Sequence, residues 1–415
     1  MGSYCEVHIK HLNVYGIKNR INNNHLCLFS PNEVIDAMVE EDGEFRRQII
    51  ARTPVFKAKR RLQILGYSLE KAKAYFEDGV KYQKSKYCCD SLEENEELYS
   101  SERQYYLSID FGNYIAALRT VFSSDIELYA DDIFEKYPCI EQNYLSKHIV
   151  EKLNSGYYFS HTIYDEIWED EEESINELLD IYICLICADD ADLVELDLTD
   201  VIESGWVDIE KIFGFYENDI DRTIIITEGK TDIDVLARSI KILYPEYGHL
   251  YSFFDFDTYR ADGGASYLVK LLKSFSAAKI KNRVIAVFDN DSAAINELQQ
   301  LEQISLLSTI NVIKLPELEF CKSYPTIGPG GLSYLDINEL AVGIEMFFGE
   351  DILKNNGEYY PIIWNGYISR INKYQGSISE KDRINQQMKN KLSNPEKAEH
   401  DWEPLKKLWE YLFEV

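Results

Sequence analysis

Residues 223–232 read TIIITEGKTD, and residues 283–291 read RVIAVFDND. Each is a short run of β-branched and apolar residues that stops at an acid, the pattern of a buried strand running into a turn. Working outward, a helical pattern passes through Val235 to Leu243 and YSFFDFD (251–257) reads as another strand. A second helix passes through Leu268 to Phe275, and a third separates DND from INVIKL (310–315). Strands that alternate with helices imply βαβ units, hence a parallel sheet with helices on both faces. The expectation is a Rossmann-like α/β domain over residues 220–349.

In an open parallel sheet, ligands collect beyond the carboxyl ends of the strands. Two of the expected ends carry acids: Glu228, followed by Gly229 and Asp232, and the pair Asp289 and Asp291. Carboxylates at such ends can hold Mg²⁺ and leave its remaining positions to water and phosphate oxygens. Two such metals about 4 Å apart stabilise the attacking and leaving oxygens of phosphodiester cleavage. Taken singly, a Glu-Gly or an Asp-x-Asp reads equally well as a turn or a helix cap. In this order, on strands of one parallel sheet, they point to phosphodiester chemistry. Three further positions carry two readings each. Glu345, in VGIEMFF, is either another metal ligand or an exposed helix residue. Lys381, in YQGSISEKDRI, is either a charge for a transition-state phosphate or a solvated lysine. Gly263-Gly264 is either a pair of backbone N–H donors for a phosphate or a turn.

EGKTD around Glu228 and DNDSA around Asp289 and Asp291 resemble the Toprim family, shared by topoisomerases, bacterial primases, recombination-repair proteins and the overcoming-lysogenization-defect nucleases. The resemblance implies general acid/base or metal chemistry for Glu228 and Mg²⁺ binding by Asp289 and Asp291, with Mn²⁺ as the alternative ion. It also implies the role of an additional nuclease-branch acid for Asp232. GGASYLVKLLKSFSAAKIKNRVIAVFDNDSAA, YPTIGPGG, DINELAVGIEMFF and YQGSISEKDRI resemble the bacterial HEPN/Toprim proteins. MGSYCEVHIKHLNVYGIKN resembles the N-terminal domain that precedes either a HEPN RNase or a Toprim module in that family. The similarity covers most of the chain and thins between residues 60 and 210. It implies a nuclease acting on DNA or RNA, tRNA included, as an effector of bacterial antiviral defence, working alone or with a partner ATPase or other defence protein.

Residues 1–130 are expected to form an α+β unit, with YCEVHIKHLNVYGI as a strand or hairpin and Ser30-Pro31-Asn32-Glu33 as a helix start. Lys57, Lys59, Arg60, Arg61, Lys71, Lys73, Lys81, Lys84 and Lys86, interleaved with Tyr67, Tyr75, Tyr82 and Tyr87, read as either a nucleic-acid surface or helix packing. Residues 131–219 read as an acidic, mostly helical connector and 350–415 as a helical extension. Its terminal WEPLKKLWEYLFEV covers the chain's own core or packs on a second copy.

The net charge is −29, and residues 151–200 hold sixteen acids against the single base Lys152. Such a chain lacks the broad basic face with which proteins grip long duplexes by counterion release. Nucleic acid then meets a local site, or a partner supplies positive charge. Eight scattered cysteines, no apolar run of membrane-spanning length and no leader-like start lead to the expectation of a reduced, cytoplasmic protein without a membrane partner. Cys184-x-x-Cys187 lies in IYICLIC and reads as core packing rather than zinc ligation. Arg20 and His25 have the spacing of a HEPN RNase pair, but the Asn-rich segment between them does not read as a helix that would display them. Two other classes stay open. Strand passage or priming would need a tyrosine nucleophile or a zinc-binding domain. A regulatory subunit restrained by a partner would fit the lack of a GxxxxGK[ST] motif.

Overall fold

The computed structural model of the chain describes residues 2–41, 43–87, 100–130, 132–163, 176–218, 220–258, 261–302 and 304–415. The chain parts into two compact units, residues 1–220 and 221–415.

In the first unit the opening forms a hairpin, β1 (Tyr4–Ile9) against β2 (Leu12–Lys18), whose Cys5, Val7 and Ile9 alternate into the core. The helix expected from Ser30 is only a 3-10 turn, Pro31–Glu33, feeding the hairpin β3 (Val34–Glu41) and β4 (Glu44–Pro54). Glu33 turns inward to the buried Arg61 guanidinium (2.8 Å) and the Thr53 hydroxyl (3.0 Å). Tertiary partners therefore close this turn, and the β-branched residues that follow leave it as a strand. The connector expected over 131–219 is instead part of this unit. Its β5 (Leu193–Asp197) lies in the middle of an antiparallel sheet of order β2-β1-β5-β4-β3. Only Val194 and Leu196 of that strand are buried, an alternation too short to stand out among the surrounding acids.

Arg61 and Tyr75 of the basic cluster follow its packing reading. Arg61 is fully buried and donates to the Leu28 carbonyl (2.7 Å), Lys59 pairs with Asp190, and Tyr75 donates to the buried Asp180 (2.9 Å). His25 lies in a 3-10 turn, Asn23–Leu28, with its ring 4.7 Å from that of Tyr15 and Nε2 3.3 Å from Glu177. It is 1% exposed, so no helix displays it with Arg20. Cys184 and Cys187 are buried core residues whose thiols burial pushes up, to about 12 for Cys187.

In the second unit β6 (Thr223–Thr227), β7 (Tyr251–Phe253), β8 (Val284–Phe288) and, past the short β9 (Asn290–Asp291), β10 (Ile310–Lys314) follow the sequence pattern. β6, β7, β8 and β10 form a wholly parallel sheet in the order β10-β8-β6-β7. β8 is buried along its length. Val284, Ala286 and Phe288 pack with Leu268, Val269 and Leu272 of the Ala265–Ala277 helix, while Ile285 and Val287 face the other way. That second face is covered by the Lys230–Leu243 and Glu403–Phe413 helices. The Trp409 indole donates to Ser239 (2.9 Å) and packs on Tyr251 with ring centroids 5.5 Å apart.

The helical extension expected over 350–415 is corrected: strands extend through this region too. β11 (Tyr324–Gly328) and β12 (Gly331–Leu335) form a hairpin, β13 (Ala341–Val342) pairs with β9, and β14 (Lys354–Asn355) pairs with β15 (Glu358–Tyr359). β16 (Ile362–Ile368) and β17 (Lys373–Ile378) then join the hairpin in a second sheet of order β12-β11-β16-β17. Gly and Asn interrupt IIWNGYI and KYQGSI, so neither run presents a clean strand alternation. The terminal helix buries Leu405, Leu408, Trp409, Leu412 and Phe413 and thus covers this chain's own core. Among the described residues no helix is long and apolar enough to cross a membrane.

Candidate functional site

β6 and β8 are neighbours in the parallel sheet, with β7 outside one and β10 outside the other. The connections leaving them therefore diverge, and a crevice opens between their carboxyl ends. Glu228 stands directly beyond β6 and Asp289 directly beyond β8, the strand ends being in register through Thr227 and Val287. The Asp289 N–H donates to Glu228 Oε1 (3.0 Å). The Gly264 N–H donates to the Glu228 carbonyl (2.6 Å), and the Ala265 N–H bonds the Glu228 carboxylate.

Asp232 sits in the first turn of the Lys230–Leu243 helix and accepts from the Gly229 N–H (3.1 Å), so it closes the turn after β6 while facing the same crevice. Asp291 caps the Ser292–Leu298 helix, its Oδ1 accepting from the Ala294 N–H (2.8 Å). Its backbone pairs with Ala341, which draws β13 and the following turn toward the crevice. Glu345 lies in that turn, Ile344–Phe347, and is 4% exposed, not an exposed helix residue. A Cβ at Gly343 would stand 2.7 Å from Glu345 Oε2 and 3.5 Å from Asp289 Oδ2, so this glycine leaves the space in which two carboxylates converge. Lys381, the first residue of the Lys381–Ser393 helix, places its ammonium 2.8 Å from Glu345 Oε1. Glu228, Asp232, Asp289, Asp291, Glu345 and Lys381 thus gather at one sheet edge.

The phosphate-cradle reading of Gly263-Gly264 is corrected for Gly264, whose N–H is already committed to Glu228. Gly264 has φ +95°, and a Cβ at Gly263 would come within 3.0 Å of the Glu228 carbonyl. The pair is there to let the chain pass close behind Glu228. Gly343 is a contributor that sequence reasoning missed. The only sequence signal for Gly343 is its place two residues before Glu345.

Burial pushes Glu228 up to about 7, reinforced by the Asp291 charge. Burial and then Glu345 push Asp232 up to about 7, against the pull of Lys381. Asp289 is held well above the usual carboxylate range by burial, then by Asp232 and Glu228, and Asp291 is raised mainly by burial. Lys381 is raised: burial lowers it, but Glu345, Asp289 and Asp232 outweigh that. Five acids facing one lysine form an all-oxygen donor set, the chemistry that suits Mg²⁺ or Mn²⁺ when the raised groups give up their protons to it. Among the described residues, however, no three His, Cys, Asp or Glu side chains converge closely enough to ligate one ion. The backbone bonds to Asp232 and Asp291 and the Lys381 pair with Glu345 occupy these carboxylates, so gathering on a cation requires them to turn.

The HEPN/Toprim N-terminal domain 1 family matches residues 1–220, the whole of the first compact unit. The expected boundary near residue 130 therefore falls inside one family domain. No curated protein and no solved structure matches the chain. With more than half of its length matched, the chain belongs to the HEPN/Toprim N-terminal domain 1 family, a nuclease-associated group.

Proposed function

We propose that the second unit is a Toprim nuclease domain that hydrolyses phosphodiester bonds of DNA or RNA with Mg²⁺ or Mn²⁺. The observation that carries this reading is the meeting of Glu228 and Asp289 at the adjacent ends of two parallel strands, joined by the 3.0 Å bond from Asp289 N–H to Glu228. Glu228, Asp289 and Asp291 would hold the divalent ion, with Glu345 as a further ligand, and the ion would supply Lewis-acid stabilisation of charge on the phosphate. Asp232, which is not one of these ligands and stands at about 7, is suited to accept a proton from the attacking water and to return it to the leaving oxygen. Lys381 supplies positive charge to the non-bridging phosphate oxygens once Glu345 turns away from it. In the balanced reaction a water oxygen bonds to phosphorus, the bond to one ester oxygen breaks, and that oxygen leaves protonated.

The separation of the acids favours a second reading: a nuclease held in a restrained state until a partner, such as an ATPase or another defence protein, brings them together. A place in antiviral defence follows from the family resemblance. Purified protein incubated with plasmid DNA and total tRNA in Mg²⁺ or Mn²⁺, beside Asp289→Ala, tests the primary reading. Cleavage by the parent and none by the variant is expected. Equal cleavage by both would refute it, and cleavage only after addition of a partner would select the restrained form.

A further inference from the structure

β16 and β17 carry three clustered aromatic side chains, none of them fully buried. Tyr367 and Tyr374 stand opposite one another across the two strands with ring centroids 5.0 Å apart, and the Tyr374 ring is 6.2 Å from that of Trp364. Tyr367 is 53% exposed and Tyr374 61%. Trp364 lies against bare backbone, since a Cβ at Gly376 would come within 2.9 Å of its ring and one at Gly328 within 3.3 Å. β16 bulges between Trp364 and Gly366, a distortion that re-aims the side chains beyond it.

The strand that carries Tyr374 adjoins the acid site through its backbone. Ser292, the residue after Asp291, donates from Oγ to the Tyr374 carbonyl (2.6 Å), and β17 runs on into the turn that delivers Lys381 to Glu345. It also lies in the cationic part of an acidic chain. Residues 364–391 hold six bases and two acids, and Arg370, Lys381, Arg383 and Lys389 are exposed.

We propose that Trp364, Tyr367 and Tyr374 form a stacking platform for the bases of a single-stranded nucleic acid, holding the strand as its backbone passes to the carboxylates. The proposal rests on the nuclease reading of that site. Bases in a duplex already have their faces covered, whereas an unpaired segment can lay them on tyrosine and tryptophan rings. Stacking tolerates any base and needs few phosphate contacts, which suits a chain without a broad basic face.

The test is fluorescence anisotropy with labelled oligothymidylate and oligouridylate of about sixteen nucleotides, and a duplex of the same length, in EDTA to prevent cleavage. The full chain is compared with the double variant Tyr367→Ala/Tyr374→Ala and with Tyr367→Phe/Tyr374→Phe, each checked for an unchanged melting temperature. The parent is expected to prefer single strands, the alanine variant to lose about 10- to 100-fold in affinity, and the phenylalanine variant to retain it. Equal affinity of parent and alanine variant overturns the proposal. So does light scattering that finds a dimer which the alanine substitutions dissociate, since the rings then serve a second copy. Mg²⁺-dependent cleavage by parent and Asp289→Ala is read separately. Binding that needs the tyrosines without any cleavage contradicts the nuclease reading and leaves the platform. Cleavage and binding that ignore the tyrosines contradict the platform and leave the nuclease.

Discussion

Glu228 and Asp232 stand at about 7 in the folded chain, well above their unfolded values near 4. Because both are raised, the folded state binds more protons than the unfolded one in that interval. The stability they contribute is complete below about pH 4 and is lost as pH rises through about 7. In metal-free buffer, the melting temperature is predicted to fall from about pH 5 to about pH 8, and Glu228→Gln should flatten that slope. Added Mg²⁺ should restore stability at the higher pH by binding the folded form. A melting temperature that rises across this window would contradict the buried-acid account. Lys381→Met is predicted to lower the cleavage rate by about 10²-fold, read as kcat; an unchanged rate would return Lys381 to a surface role. The nearness of Glu228 and Asp289 is legible in the sequence because each acid ends a β-branched run and open parallel sheets gather such ends. The contribution of Gly343 is not, because it depends on a carboxylate approaching from another strand.

Elements differ in how plainly their sequences announce them. TIIIT and VIAVF are short runs of β-branched and apolar residues bounded by turns, and β6 and β8 follow them residue for residue. LVELD offers only a brief alternation inside an acidic segment, yet β5 sits between β1 and β4 in the middle of its sheet. Its cross-strand partners, 139 or more positions away in the chain, are invisible to local periodicity. Leu196, 1% exposed, faces the core, whereas Leu193 is 39% exposed at the strand's start. Leu196→Ala is predicted to destabilise the first unit by about 2–5 kcal/mol in chemical denaturation, while Leu193→Ala should cost little. Equal costs would mean that β5 is not a core strand. At the helix that backs Glu228, Gly264→Ala must force an alanine to φ +95° and should cost about 1–3 kcal/mol.

On the scale of the whole molecule, charge separates along the same division as the contacts. Residues 1–220 hold 44 acids and 21 bases, and residues 221–415 hold 28 and 22. The acidity that argued against a broad duplex-binding face thus belongs mostly to the unit without the carboxylate crevice. Since β5 completes the first sheet, a 1–220 fragment is predicted to fold cooperatively and a 1–130 fragment to lack a two-state transition by circular dichroism. A cooperatively folded 1–130 fragment would restore the separate connector. The central claim, that Glu228, Asp289 and Asp291 form a divalent-metal centre, can be tested even if cleavage awaits a partner. The most direct measurement is calorimetric titration of Mn²⁺ into the full chain and into Asp289→Asn near pH 7, in buffers of different ionisation enthalpy. The parent is predicted to bind the ion with release of a proton from Glu228, and the variant to lose most of that binding. Equal binding by both proteins, or no binding by the parent, would contradict the claim.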